Sequence, residues 1–135
     1  MELQTMELQR LDNLKIVVVD DQEKVRSSVS HFLADKGAQV QACRNVDEAL
    51  EAVPRLHPDL IISDIRMPEK DGFELLHAVR SLDEESNREV PVIAMTAHEL
   101  ETEEIIASPP LFDGFLPKPF TPAALMRMIS DVLTE

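Results

Sequence analysis

The chain has 135 residues, 44% of them hydrophobic, and 13 Lys and Arg stand against 26 Asp and Glu for a formal charge of -13. That length holds one compact domain with a conventional core and leaves no room for a second, and the apolar fraction argues against disorder. The charge, with no concentrated basic face, argues against direct nucleic-acid binding, and the single Cys43 allows no internal disulfide.

The opening stretch MELQTMELQRLDN (1–13) is acidic and lacks the positive flank and apolar run of a signal peptide. No later run reaches transmembrane length, so no membrane insertion is expected, and a reducing cytoplasm is the expected setting. The repeated MELQ at 1–4 and 6–9 is too short to define a repeat architecture. Residues 1–13 therefore read as a tail or linker, or the end of a neighbouring domain's helix, before one domain at 14–135.

From there short apolar runs alternate with longer segments of helical period, the pattern of β-α units building a parallel sheet covered on both faces. The expected strands are KIVVVD (15–20), AQVQAC (38–43), DLIIS (59–63), VPVIAM (90–95) and GFLP (114–117). The first helix, about Glu23 to Lys36, lines up Val25, Val29, Phe32 and Leu33, and Gly37 stops it. The second has Asn45 as cap with Glu48 three residues on, a capping-box spacing, and Pro54 is expected to bend or shorten it. The third runs from about Gly72 to Leu82. The acidic SLDEESNREV that follows is expected to be a long, solvated and flexible loop. A short fourth helix in HELETEEIIASPPLFDG must end at Pro109 and Pro110, and the last helix starts at Thr121 and Pro122 and buries Leu125, Ile129 and Val132.

In an open parallel sheet, functional groups gather beyond the carboxyl ends of the strands. Here the first strand ends in Asp20 and Asp21, the third in Asp64, the fourth in Thr96 and the fifth in Lys118. Taken singly, such an Asp is often a helix cap and such a Lys a surface charge. Five at one edge point to a site. Carboxylates converging there repel by on the order of 4 kcal/mol per close pair, so they call for a divalent cation. All-oxygen ligands suit magnesium, whereas His31, His57, His77 and His98 are scattered and offer no zinc spacing.

With VVVDD at 17–21, SDIRMPEKDGFELL at 63–76, MTA at 95–97 and FLPKPF at 115–120, the chain resembles the response-regulator receiver domains of two-component signalling, over about Leu14 to Leu133. The resemblance implies a CheY-like, flavodoxin-like (βα)5 fold: a doubly wound five-stranded parallel sheet in the order 2-1-3-4-5 with helices on both faces. It implies that Asp64 accepts a phosphoryl group from a phosphohistidine. Magnesium would be held by Asp20, Asp21, Asp64 and the backbone carbonyl of Arg66, while Lys118 and Thr96 would meet phosphoryl oxygens. Ala97 is small and leaves the phosphate room.

The resemblance further implies a cis peptide bond before Pro119, an exit loop shaped by Met67, Pro68 and Gly72, and a switch in which Thr96 moves and Phe115 rotates inward. That switch would remodel the surface of the fourth helix, fifth strand and fifth helix, although Phe115 also reads as a plain core residue. Arg66 and His98 occupy positions that influence the phosphate lifetime in this family. The Pro109-Pro110 pair departs from the usual pattern at the end of the fourth helix. Implied partners are a histidine kinase or histidine phosphotransfer protein and a downstream target, or an effector segment absent from this sequence. Two other readings compete: a pseudo-receiver that binds partners without phosphate, and a phosphatase of the haloacid-dehalogenase type. The latter places its nucleophile after the first strand with a second Asp two residues on, where this chain has Arg66 after the third.

Overall fold

A computed structural model describes residues 9–97 and 111–134. Five parallel strands, β1 (Lys15–Val19), β2 (Gln39–Cys43), β3 (Leu60–Asp64), β4 (Val92–Thr96) and β5 (Gly114–Pro117), form one sheet in the order β2-β1-β3-β4-β5. Both β3 and β4 are buried at every position, as central strands covered on two faces must be.

Alternation along β1 shows how the two faces are made. Val17 and Val19 point into one core with Ile61, Val92 and Ala94, and Ile16 and Val18 into the other with Leu60, Ile62, Ile93 and Met95. Helices α2 (Val46–Leu56) and α3 (Gly72–Val79) cover the first face, and α1 (Glu23–Asp35) and the C-terminal helix (Pro122–Leu133) cover the second. Each fully buried aliphatic side chain contributes roughly 1.5–3 kcal/mol, so the central strands anchor the domain.

Local signals set the helix ends. α1 stops at Asp35 and the chain turns at Gly37, whose φ of 102° suits only glycine and where a side chain would run into the Asp12 carboxylate. Asn45 caps α2 by accepting from the Glu48 N–H at 2.9 Å, but Glu48 reaches back to the Arg44 N–H rather than to its cap, so only half of a capping box forms. The complete box is at α3, between Asp71 and Glu74. Pro54 lies within α2, which ends two residues later, before His57 at a φ of 52°. Thr121 caps the C-terminal helix, which buries Leu125 and Ile129 with Val132 half-buried beside them.

Two expectations are corrected. The third helix ends at Val79 rather than Leu82, and the acidic segment after it is not simply a solvated loop. It carries a one-turn helix, α4 (Glu85–Arg88), with Asn87 and Val90 buried. The reason is Arg80, whose Nη1 donates to the carbonyls of Arg88 and Val90 at 3.0 and 2.7 Å and whose Nη2 pairs with Asp113 at 3.0 Å. That guanidinium satisfies main-chain acceptors that a solvated loop would leave to water. The C-terminal helix is accordingly α5.

Upstream, Leu11 is buried against α1 and β1, and its N–H donates to the Lys36 carbonyl at 2.8 Å. The chain thus enters the core three residues before Leu14. The expected helix before Pro109 and Pro110 lies outside the described residues. Among the described residues, no helix is long and apolar enough to cross a membrane.

Candidate functional site

Register builds the site. Val19 of β1 stands beside Ser63 of β3, so the next residues, Asp20 and Asp64, emerge level with one another on adjacent strands. Asp64 is also in register with Met95, and Thr96 with Pro117, so that Thr96 and then Lys118 leave the sheet at successive steps across the same edge. Strand spacing near 4.8 Å then brings the side chains within reach of one another.

Oxygen atoms of Asp20, Asp21 and Asp64 all lie within 4.8 Å of one another. Asp20 is fully buried, Asp64 nearly so, and Asp21 is exposed. Lys118 Nζ sits 3.3 Å from Asp20 Oδ2 and 3.3 Å from Asp64 Oδ1, bridging the two buried carboxylates. Burial pushes the Asp64 carboxyl up to about 6, the Asp20 charge adds to the rise, and the Lys118 ammonium opposes it. Thr96 is buried at the end of β4, and Phe115 is half-buried on β5 against the core face shared with α2 and α3. Beside Phe115 an open groove of about 400 Å³ is lined also by Asp113, Gly114, Met128, Asp131 and Val132.

The loop after Asp64 folds tightly against it. The Gly72 N–H donates to the Ile65 carbonyl at 2.8 Å, and a Cβ at Gly72 would stand 2.6 Å from the Asp64 carbonyl oxygen and 2.9 Å from Ile65 Cα. Only glycine allows that approach. The Ser63 hydroxyl donates to the same Asp64 carbonyl at 2.8 Å. Arg66 is exposed on this loop, and the Lys118–Pro119 peptide bond is cis. His98 lies outside the described residues.

The three carboxylates fit a hard divalent cation. All donors are oxygen, and the exposed Asp21 marks an open side at which water can complete an octahedral shell. Sequence reasoning missed Arg26, whose Nη1 donates to the Asp20 carbonyl at 2.9 Å, and Gln22, whose N–H donates to Asp20 Oδ1 at 2.8 Å. The signal for Arg26 was a basic residue two after Lys24 on the helix leaving Asp20, which reads equally as surface charge. Cys43 has no part in this chemistry: it is buried and its thiol is pushed up to about 11, chiefly by burial.

An open parallel sheet wound in the order β2-β1-β3-β4-β5, with an acid and lysine cleft beyond the carboxyl ends of its strands, defines the CheY-like class of doubly wound domains. The chain belongs to the response regulator receiver domain family, whose pattern matches residues 16–130. It is 33% identical to the chemotaxis response regulator CheY4 of Vibrio cholerae, with a TM-score of 0.79 over 90% of this chain and 99% of that one. A receiver domain of a signal transduction histidine kinase from Syntrophus aciditrophicus is 29% identical, with a TM-score of 0.77 over 89% of each chain.

Among curated proteins, an uncharacterized 14.6 kDa protein from Leptolyngbya boryana is 38% identical over 90% of this chain and 92% of its own length. The response regulator MprA of Mycobacterium leprae is 32% identical over 89% of this chain and 51% of its own. The response regulator Rre1 of Synechocystis is 34% identical over 90% and 52%. The chain spans about half the length of these last two.

The protein is therefore a receiver domain of two-component signalling, a class of signalling module that interacts with histidine kinases and downstream effectors and binds magnesium at an acidic pocket. This membership does not favour the phosphatase or pseudo-receiver readings.

Proposed function

We propose that Asp64 accepts a phosphoryl group from the phosphohistidine of a histidine kinase or histidine phosphotransfer protein. The observation that carries this reading is Lys118 Nζ, 3.3 Å from both Asp20 and Asp64, in a cleft where three carboxylates meet. In the transfer, the phosphorus–nitrogen bond to the donor imidazole breaks and its electron pair stays on the nitrogen. An Asp64 oxygen forms the new bond to phosphorus, giving an acyl phosphate. With its carboxyl at about 6, Asp64 is ionised at neutral pH and ready to attack.

Asp20, Asp21 and Asp64, with the carbonyl of Arg66, would hold magnesium, which supplies neutralisation of the charge on the phosphoryl oxygens. Lys118 turns from its carboxylate partners toward one phosphoryl oxygen as a mobile ammonium, and the Thr96 hydroxyl donates to another. Displacement of Thr96 then lets Phe115 move inward and changes the surface beside β5, which passes the signal to a protein target or to an effector segment beyond this sequence. Arg66 and His98 govern how readily water reaches the acyl phosphate and so set its lifetime. The domain is a phospho-acceptor that assists its own phosphorylation and dephosphorylation, acting in the cytoplasm.

Incubation with acetyl phosphate and magnesium tests this. The intact mass should rise by one phosphoryl group on Asp64, and the gain should vanish with a chelator or in Asp64→Asn. An unmodified wild-type chain, or modification that survives Asp64→Asn, would instead support a phosphate-independent binding module.

A further inference from the structure

Asp20 is held at every polar atom of its backbone and carboxylate. Its N–H donates to the Cys43 carbonyl at 3.2 Å, Oδ1 accepts from the Gln22 N–H at 2.8 Å, and Oδ2 faces Lys118 at 3.3 Å. Its carbonyl accepts from Arg26 Nη1 at 2.9 Å. Three of these partners are backbone groups of the sheet and turn or the cleft lysine itself. Arg26 is different: a half-buried side chain on the second turn of α1, directed back past the start of its own helix.

The carbonyl it holds belongs to the peptide plane between Asp20 and Asp21. Holding that plane fixes where Asp21 Cα stands, and so the point from which the Asp21 side chain leaves, because the two residues share it. Asp21 is exposed and reaches the cleft from this turn. We infer that Arg26 is a positioning residue for the metal site: by clamping the Asp20 carbonyl it sets the separation of the Asp20 and Asp21 carboxylates to suit a divalent cation. This rests on the magnesium site proposed above.

A guanidinium near a cation site repels the cation, so if its charge were all that mattered, Arg26→Ala would tighten magnesium binding, more so at low salt. Loss of positioning loosens it instead, and groups that orient metal ligands typically contribute 10- to 100-fold in affinity.

The chain has no Trp or Tyr, so titration calorimetry of the intact 135-residue protein is the suitable measurement. Arg26→Ala should weaken magnesium binding on the order of 10-fold at both low and high salt. Arg26→Lys, which keeps the charge but replaces a planar fork with a single ammonium, should weaken it by about threefold, and it serves alone if the alanine variant does not fold. Arg44→Ala, which removes an exposed pair with Glu48, should bind like wild type. Unchanged or tighter binding in the Arg26 variants overturns the inference. A wild-type chain that binds no magnesium would instead overturn the proposed metal site itself.

Discussion

The backbone N–H of Lys118 donates to the carbonyl of Thr96 at 2.6 Å, one step beyond the last register pair of β4 and β5. The cleft lysine is thereby tied at its main chain to the buried threonine, while its side chain spans outward to Asp20 and Asp64. A movement at Thr96 is thus felt at the base of Lys118. Because the tie is a main-chain bond, it does not depend on the lysine side chain, and any replacement that keeps the backbone N–H can make it.

Lys118→Met should leave the fold intact through that main-chain bond yet remove the only ammonium observed among the described residues between Asp20 and Asp64. Modification by acetyl phosphate should slow on the order of 100-fold, the usual scale for losing one preorganised transition-state donor. Magnesium affinity should hold or tighten, since a competing cation is gone. Time-resolved intact mass and calorimetry read the two effects separately.

Asp64 gives a pH dependence whose sign follows from its shift. Its carboxyl rises from an ordinary 3.8 to about 6, so the folded state binds the proton more tightly than the unfolded chain. This contribution to stability is fully present below about 3.8 and is lost as pH rises through about 6. In metal-free protein, Asp64→Asn should be more stable than wild type above that range by about 1–2 kcal/mol, the solvent-screened part of the linkage energy. The gain should fade toward acid. Urea unfolding across pH checks it, and a gain that stays constant with pH would show that the carboxylate is not the cause.

Gly72→Ala should disturb both fold and site. Its Cβ would meet the Asp64 carbonyl oxygen at 2.6 Å and Ile65 Cα at 2.9 Å, both backbone atoms that cannot swing aside. A loss of about 1–3 kcal/mol is expected, and the displaced Asp64 should be phosphorylated more slowly. Thermal unfolding and mass kinetics should change together.

Arg80 separates stability from chemistry. Removing its guanidinium in Arg80→Ala leaves the carbonyls of Arg88 and Val90 and the Asp113 carboxylate without this donor, at the end of the sheet away from the cleft. A loss of about 1–3 kcal/mol should follow, with magnesium affinity unchanged. A weakened metal site in this variant would show that the latch reaches the cleft.

Much of this protein is legible along the chain. The five strands lie where short apolar runs were expected, and of the polar residues read at their carboxyl ends Asp20, Asp21, Asp64 and Lys118 meet in one cleft, with Thr96 at the end of β4. Alternation and helical period report burial, and burial is dictated residue by residue by the apolar character of each side chain. Boundaries were less legible. The end of α3 and the fate of SLDEESNREV depend on Arg80 finding carbonyls eight and ten residues away, which no periodicity announces.

What the sequence by itself determined is the architecture and the list of polar groups at the carboxyl edge of its sheet. Only the tertiary structure decided how they are held: Asp20 level with Asp64 through the β1–β3 register, Arg26 turned back onto the Asp20 carbonyl, and Gly72 pressed against the backbone of Asp64. The physical reason is that a side chain's hydrophobicity is a property of one residue. A hydrogen bond or a close approach belongs to two residues, and it exists only after the sheet has set the distance between them.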